Sequence, residues 1–344
     1  MNLFNTGQQK NNFSIFDLKT EIFEKNSVFS DVVLTKEFKR LNNISFMGAI
    51  DYTVNTYGIS HNSRTRAEHS IDVSVIAYHV ASKRNYDEDL KNHLSMAGLL
   101  HDIGHLPLSH SLEHYFKERF KYGHHEIGEA IIRGEIGTKQ SLSKLLKDNF
   151  DVNFILSLLN KEISSTYGGD LFSNSINIDT IDGIFKSSRY LSRIYRFDRL
   201  SLAENAFIEY DSFRELDKFW SLKNTVYNDL INTKYGVISD KLGEINFGEY
   251  LDRNLDEIDF FKSEKSWHQV HRILFNSFKT LKEKKFCDFN QELTYIDRKY
   301  FVDETSFSIK SRYKLDKHKA KYNISDDIYT LKPKENLQLE FKYE

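Results

Sequence analysis

Cysteine is all but missing. Cys287 is the only one in 344 residues, which excludes an internal disulfide and a multi-cysteine zinc site and suits a reducing compartment, so a cytoplasmic location is expected. Proline is almost as scarce, at 107 and 333 only, and no Gly/Ser-rich linker divides the chain, so long helices can run through most of it. Excess charge of either sign is also lacking. Lys plus Arg number 48 against 50 for Asp plus Glu, a net charge of -2, so composition predicts neither a nucleic-acid footprint nor attraction to a membrane, and any nucleic-acid contact must come from a local patch. There is no run of about eighteen apolar residues. The first ten residues, Met1 to Lys10, are polar, so neither a membrane span nor a signal peptide is expected. What the chain does have is aromatic bulk. Its 27 Phe and 19 Tyr can fill a core, and the mean hydropathy of -0.54 therefore does not signal disorder.

The apolar spacing reads as mainly α, a helical core followed by a helical extension with a small β element. Val32, Val33, Phe38 and Leu41 predict a helix over 31–41, and the polar stretch 55–65 a loop. A helix then starts near Arg66, with Val73, Ile76, Ala77 and Val80 on one stripe, and the next carries Leu90, Leu94, Ala97, Leu100 and His101. Gly104 should stop that helix, Pro107 should occupy the first turn of another that continues over 109–120, and two more are expected over 126–133 and 178–196. Beyond residue 200, Phe219, Leu222, Val226, Tyr227 and Leu230 keep helical intervals, whereas 294–315 alternates weakly and Leu337, Leu339, Phe341 and Tyr343 alternate as a strand would. Two parts are expected, a core over 1–200 and an extension over 201–344.

Ten of the 13 histidines fall between His61 and His125. Buried histidine costs desolvation and surface histidine has no reason to gather, so the cluster points to chemistry, metal binding among the options. The pair His101-Asp102 can place an imidazole and a carboxylate on one ion, but side chains adjacent on a helix usually diverge, and a histidine closing its helix beside a solvated carboxylate explains the pair equally well. The surrounding run Gly98-Leu99-Leu100-His101-Asp102-Ile103-Gly104-His105, with Pro107, Ser109 and His110 after it, is far more specific. With Arg66-Ala67-Glu68-His69-Ser70 upstream and Asn177-Ile178-Asp179-Thr180-Ile181-Asp182 downstream, it resembles the HD-domain phosphohydrolase superfamily, in the local form of the dGTPase and SAM-and-HD-domain deoxynucleotide triphosphohydrolase branch. The upstream pieces Phe38-Lys39-Arg40-Leu41 and Phe46-Met47-Gly48 echo that family too. Fewer than 40 residues precede them, and no SAM domain is expected there.

That resemblance implies His69, His101, Asp102 and Asp179 as ligands of a divalent metal, with mixed His/Asp donors fitting Mn, Fe, Co, Ni or Zn better than Mg alone. It implies His105, His110, Glu113 and His125 as catalytic groups around the phosphate, one of them a general acid, with His114 and His124 left to packing or hydrogen bonding. Arg66 is expected to clamp phosphate, and Lys186, with Arg189 nearby, to offer charge to a polyphosphate. The residue-level alternatives are that Asp179 is a helix N-cap and Glu68 a solvated first-turn carboxylate. The implied substrate is a nucleotide, a deoxynucleoside triphosphate first. Two departures weaken that inheritance: Phe46 stands where the family tends to hold Gln, and Asp182-Gly183-Ile184-Phe185-Lys186 replaces its aromatic-Arg-Asp motif. A site that loses its sugar-reading hydrogen bonds loses discrimination. A nucleotide-sensing regulator with little turnover, and a single-strand nuclease using the basic stretch Lys310 to Lys321, stand as alternatives. The resemblance also implies a homo-oligomer, which a monomer by light scattering at micromolar concentration would contradict.

Overall fold

A side-chain oxygen starts most of the helices that matter. In the computed structural model, which describes residues 14–54, 56, 58–136, 140–191, 195, 197–208, 213–283 and 292–323, Ser14 caps α1 (Ile15–Lys25) in a reciprocal box with Asp17. Thr65 caps α2 (Arg66–Lys83) by accepting from the Glu68 N–H, and Asp87 caps α3 (Glu88–Leu100). The helices α2 and α3 fold back on each other across a short turn, with Val73, Ile76, Ala77, Val80, Leu94, Ala97 and Leu100 all buried. Gly98 permits the close approach, because a Cβ there would stand 3.1 Å from the Ser74 Cα. Glu68 pairs with Lys19 at 3.0 Å and ties α1 to the start of α2.

Further along lie α4 (Glu113–Phe120), α5 (His124–Arg133), α6 (Val152–Leu159), α7 (Ile178–Ser188) and α8 (Arg199–Phe207). Both α7 and α8 pack on α2. After residue 200 come α9 (Arg214–Val226), which runs into a wider π-type turn over Tyr227–Ile231, then α10 (Lys234–Asn254), α11 (Glu264–Val270) and α12 (Arg272–Lys282). Strands β1 (Glu292–Val302) and β2 (Tyr313–Asn323) form an antiparallel ribbon in which Thr294 faces Lys321 and Val302 faces Tyr313. The ribbon is fastened to α9 by aromatic packing, with Tyr300 and Tyr313 each 5.3 Å from the Trp220 ring. No helix of the described residues is long and apolar enough to cross a membrane.

Three expectations need correction. The helix anticipated over 31–41 breaks at Thr35, whose extended backbone and side chain cap a new short helix at Lys36–Lys39. Pro107 does not open a helix: Leu108 and Ser109 follow it with φ of 61° and 49°, left-handed values that break a right-handed helix, and the helical path over 109–120 starts only at that bend, as a 3-10 turn at Ser109–Leu112 leading into α4. The helix anticipated over 178–196 ends at Ser188. The strand expected at 337–343 lies outside the described residues, as does Cys287. Helices from after residue 200 pack directly on earlier ones: α10 packs on residues 50–53 and 109–112, and α12 on residues 50–53.

One buried charge holds the loop that matters for function. Arg40 is 8 % exposed and donates to the backbone carbonyls of Ile103, at 2.6 Å, and His105, while burial lowers its pKa to about 10. Replacing it with alanine strands two buried acceptors at about 1–3 kcal/mol each. Arg40→Ala is therefore expected to lower the free energy of unfolding by about 2–6 kcal/mol, read as an earlier urea midpoint at unchanged slope.

Candidate metal centre

His69 sits in the first turns of α2, fully buried, and its Nδ1 lies 2.7 Å from the Asp182 carboxylate. The acceptor assigns the proton to Nδ1 and aims the Nε2 lone pair the other way. His101 closes α3 with Nδ1 at 2.8 Å from the Gly98 carbonyl, so its Nε2 is likewise presented outward. The two Nε2 atoms meet at 3.2 Å with rings inclined by 73°. Asp179 Oδ1 lies 3.1 Å from His69 Nε2 and 3.8 Å from His101 Nε2. Asp102 lies alongside, with Oδ2 3.7 Å from His69 Nε2 and Oδ1 3.5 Å from His101 Nε2. His101 and Asp102 converge because the chain leaves the helix in a tight turn, with Ile103 N donating to Leu100 O and His105 N to Asp102 O. Asp179 is not the cap of α7; Asn177 is, accepting from Thr180 N at 2.7 Å.

Among the described residues His69, His101 and Asp179 bring their donor atoms close enough together to hold one ion, and with the Asp102 carboxylate beside them such a group of lone pairs repels unless a cation lies between. The donor set, two N and two O, fits a borderline divalent ion of the Mn-to-Zn series. Without one, a proton takes its place. Burial opposes a charged His69, yet hydrogen bonds to Asp179 and Asp182 outweigh it and push its pKa up to about 9. Asp179 is held at about 2: its crowded surroundings favour the neutral acid, but the His69 hydrogen bond and the charges of His101 and His69 prevail.

The support behind His69 is an ionic quartet. Arg199 bridges Asp182 and Asp72, reaching the latter at 2.8 Å, and Lys186 pairs with Asp72 at 2.9 Å. Lys186 is 4 % exposed and stands behind the centre rather than in the cavity wall, so the charge expected to meet substrate is instead spent on buried carboxylates. Arg66 is placed similarly. Its guanidinium donates to Asp102 Oδ2 at 2.8 Å, Phe46 O at 2.8 Å and Ser109 Oγ at 3.1 Å, which makes it a holder of Asp102, although it also borders the cavity. Partners of this kind typically change metal affinity about 10–100-fold. Asp182→Asn is expected to weaken metal binding by about that factor in a chelator competition titration, without displacing any ligand.

A second cluster adjoins the first. Glu113 accepts from His124 Nδ1 at 2.8 Å and from His110 Nδ1 at 3.0 Å, and although partial burial opposes ionisation, those two hydrogen bonds hold its carboxyl far below the usual range. His105 is 1 % exposed, with Nε2 3.2 Å from Asp102; burial, and after it the nearby Arg66 charge, push its pKa well down. Its ring stacks on His124 at 4.1 Å and 10°. His105, His110 and His124 bring ring nitrogens close enough together to hold an ion, but the stacked pair His105 and His124 cannot both point in-plane lone pairs at it. The sequence assigned His125 here and left His124 aside. The structure gives His124 the bond to Glu113, while the exposed His125 borders the cavity, its ring 4.0 Å from that of His124.

Both clusters open into a cavity of about 1020 Å³, ample for a nucleotide. One wall is built by the extension: Lys223, Tyr227, Asp240, Tyr295 and Arg298 all line it. Lys223 rests against the Trp220 and Tyr300 rings at 4.5 and 4.6 Å, and burial brings its pKa down to about 8. Phe46 packs on His69 at 4.7 Å, an apolar surface beside the donors. Asp182, His124, Lys223 and Arg298 were all missed by sequence reasoning. Only Asp182 carried a signal, three residues after Asp179 on the same helix face.

Residues 66–162 match the family model of the HD domain. The chain is similar to an uncharacterized protein of Methanocaldococcus jannaschii, 28% identical over 183 residues that make up 53% of this chain and 35% of that one. It is also similar to a protein of Dictyostelium discoideum named as a SAMHD1 homolog and deoxynucleoside triphosphate triphosphohydrolase, 28% identical over 232 residues, 60% of this chain and 41% of that one. The matched stretch thus spans well under half the length of these relatives. A crystal structure of a hypothetical protein from Aquifex aeolicus shares the fold, with a TM-score of 0.62 over 87% of this chain and 92% of that one at 16% identity.

Proposed function

We propose, from the premise that residues 66–162 are an HD domain, that this protein is a metal-dependent hydrolase of nucleotide phosphate bonds, with a deoxynucleoside triphosphate as its first candidate substrate. The observation that carries the reading is the gathering of His69, His101 and Asp179, with Asp102 alongside, at a cavity of about 1020 Å³. The activity in the Dictyostelium relative's name supports the finer choice of substrate.

A divalent ion held by those four side chains supplies Lewis-acid polarisation of a phosphoryl oxygen and an acidified water. The chain's own residues do the rest. Arg66 fixes the Asp102 carboxylate, and Asp182 fixes the His69 ring. Glu113 holds the Nδ1 protons of His110 and His124, leaving their Nε2 atoms free to meet phosphate. His110, the more exposed of the two, is placed to donate a proton to the leaving oxygen. Lys223 and Arg298 bring positive charge to the same cavity. Phe46 offers no hydrogen bond to a sugar hydroxyl, so weak discrimination between deoxyribose and ribose is expected.

The test is a panel of deoxy- and ribonucleotides and short single-stranded oligonucleotides, each with Mn, Fe, Co, Ni, Zn or Mg, read by mass spectrometry, with Asp102→Ala as control. Release of phosphate or triphosphate that Asp102→Ala abolishes is the expected result. Tight nucleotide binding without product would replace the reading with that of a sensor, and product from oligonucleotides alone with that of a nuclease.

A further inference from the structure

Glu264 opens α11, 156 residues beyond Leu108 and 219 beyond Ser45, and its side chain is spent entirely on the loops that carry them and on Tyr52. It is 4 % exposed. One carboxylate oxygen accepts from Ser45 N and Leu108 N, both at 2.8 Å, and the other from Ser45 Oγ and Tyr52 OH, both at 2.5 Å. Ser45 and Leu108 directly precede the two residues that orient Arg66. Phe46 O and Ser109 Oγ both accept from the Arg66 guanidinium, and Ser109 Oγ donates to Ser45 O at 2.7 Å. The third arm of Arg66 goes to Asp102.

The Leu108–Ser109 step has two successive non-glycine residues at positive φ, an arrangement that persists only where its surroundings over-determine it. Glu264 contributes to that by binding the Leu108 amide, and Gly48 makes room for the loop, since a Cβ there would stand 2.4 Å from Leu108 O.

We propose that Glu264 is a positioning residue of the metal centre: by clamping Ser45 and Leu108 it fixes the two oxygens that aim Arg66, and through Arg66 it fixes Asp102. The extension thereby sets the geometry of a ligand that it never touches. The inference rests on the metal-binding half of the functional reading and not on turnover.

The clamp depends on reach rather than charge, which two variants separate. Glu264→Gln keeps an acceptor for both amides and a group facing both hydroxyls, whereas Glu264→Asp keeps the charge but falls a methylene short of spanning Ser45 and Leu108. Cobalt(II) is titrated into each full-length protein, following the visible absorption of the bound ion and its affinity, with a thermal melt alongside. Expected are a near-wild-type spectrum and affinity for Glu264→Gln, and for Glu264→Asp an altered spectrum with affinity about 10-fold or more weaker. Ser109→Ala, which removes the same relay one step later, should cost Glu264→Asp little further affinity. Two results overturn the proposal: a Glu264→Asp protein whose melting point falls while cobalt spectrum and affinity stay wild-type, or the reverse ranking of the Asp and Gln variants. Because the readout is bound cobalt, a protein that binds cobalt as expected but hydrolyses no nucleotide refutes the enzymatic reading alone.

Discussion

Between about pH 9 and pH 6 the affinity of the four-ligand centre for a divalent ion is expected to fall about a thousandfold, tenfold for each unit, as a proton competes for His69. The pKa of His69 is raised from 6.5 to about 9, so in the metal-free protein the bound proton contributes stability that is fully present below about 6.5 and is lost as the pH rises through 9. A metal ion displaces that proton. Asp179 has the opposite sign, lowered from 3.8 to about 2; its contribution is present above 3.8 and disappears only as the pH falls through 2, so it adds no slope at neutral pH. Titration calorimetry in buffers of different ionisation enthalpy should show about one proton released per ion at pH 7. An affinity that stays flat from pH 6 to 9 would mean that His69 is not a ligand.

The second large effect belongs to Glu113. Its removal leaves the rings of His110 and His124 without the acceptor that fixes both Nδ1 protons. Glu113→Ala is expected to lower kcat about 10²–10⁴-fold, the usual worth of a positioned acid or base, while metal affinity stays within a factor of about two or three, because Glu113 touches none of the four ligands. The loss should appear in kcat rather than in KM, since the histidines are assigned to the leaving oxygen more than to ground-state binding. If the variant retained full activity at saturating metal, the acid-base role of this cluster would be wrong, and the metal centre alone would account for the chemistry.

His69, His101, Asp102 and Asp179 could be singled out from the sequence because each sits in a specific local run, although a helix-closing histidine or an N-cap would explain single members, and their helices were visible from apolar spacing alone. The same pattern could not separate His124 from His125. Neighbours on a helix point about 100° apart, and which one meets Glu113 is decided by where α5 begins, at His124 after Gly123. A Cβ at Gly123 would stand 2.3 Å from Lys117 Cε and 2.5 Å from Glu113 Oε1, so a side chain there would push on the carboxylate that His124 meets, a tertiary fact without a local signature. Leu108 and Ser109 mislead for a related reason: residues with ordinary preferences are held in a left-handed bend by partners far away in sequence. Lys186 misled through its charge. A lysine near a presumed phosphate site looks like a phosphate contact until Asp72, from another helix, is seen to claim it.

The cavity wall carries five Lys or Arg side chains and four Asp or Glu, so before any ion arrives it is close to electrical balance and has little to offer a polyanion. A divalent cation beside His69, His101 and Asp179 would add two positive charges and tip the whole bowl. Loading should therefore be ordered: the ion first, the nucleotide only afterwards, and a chelator would empty the vessel of both.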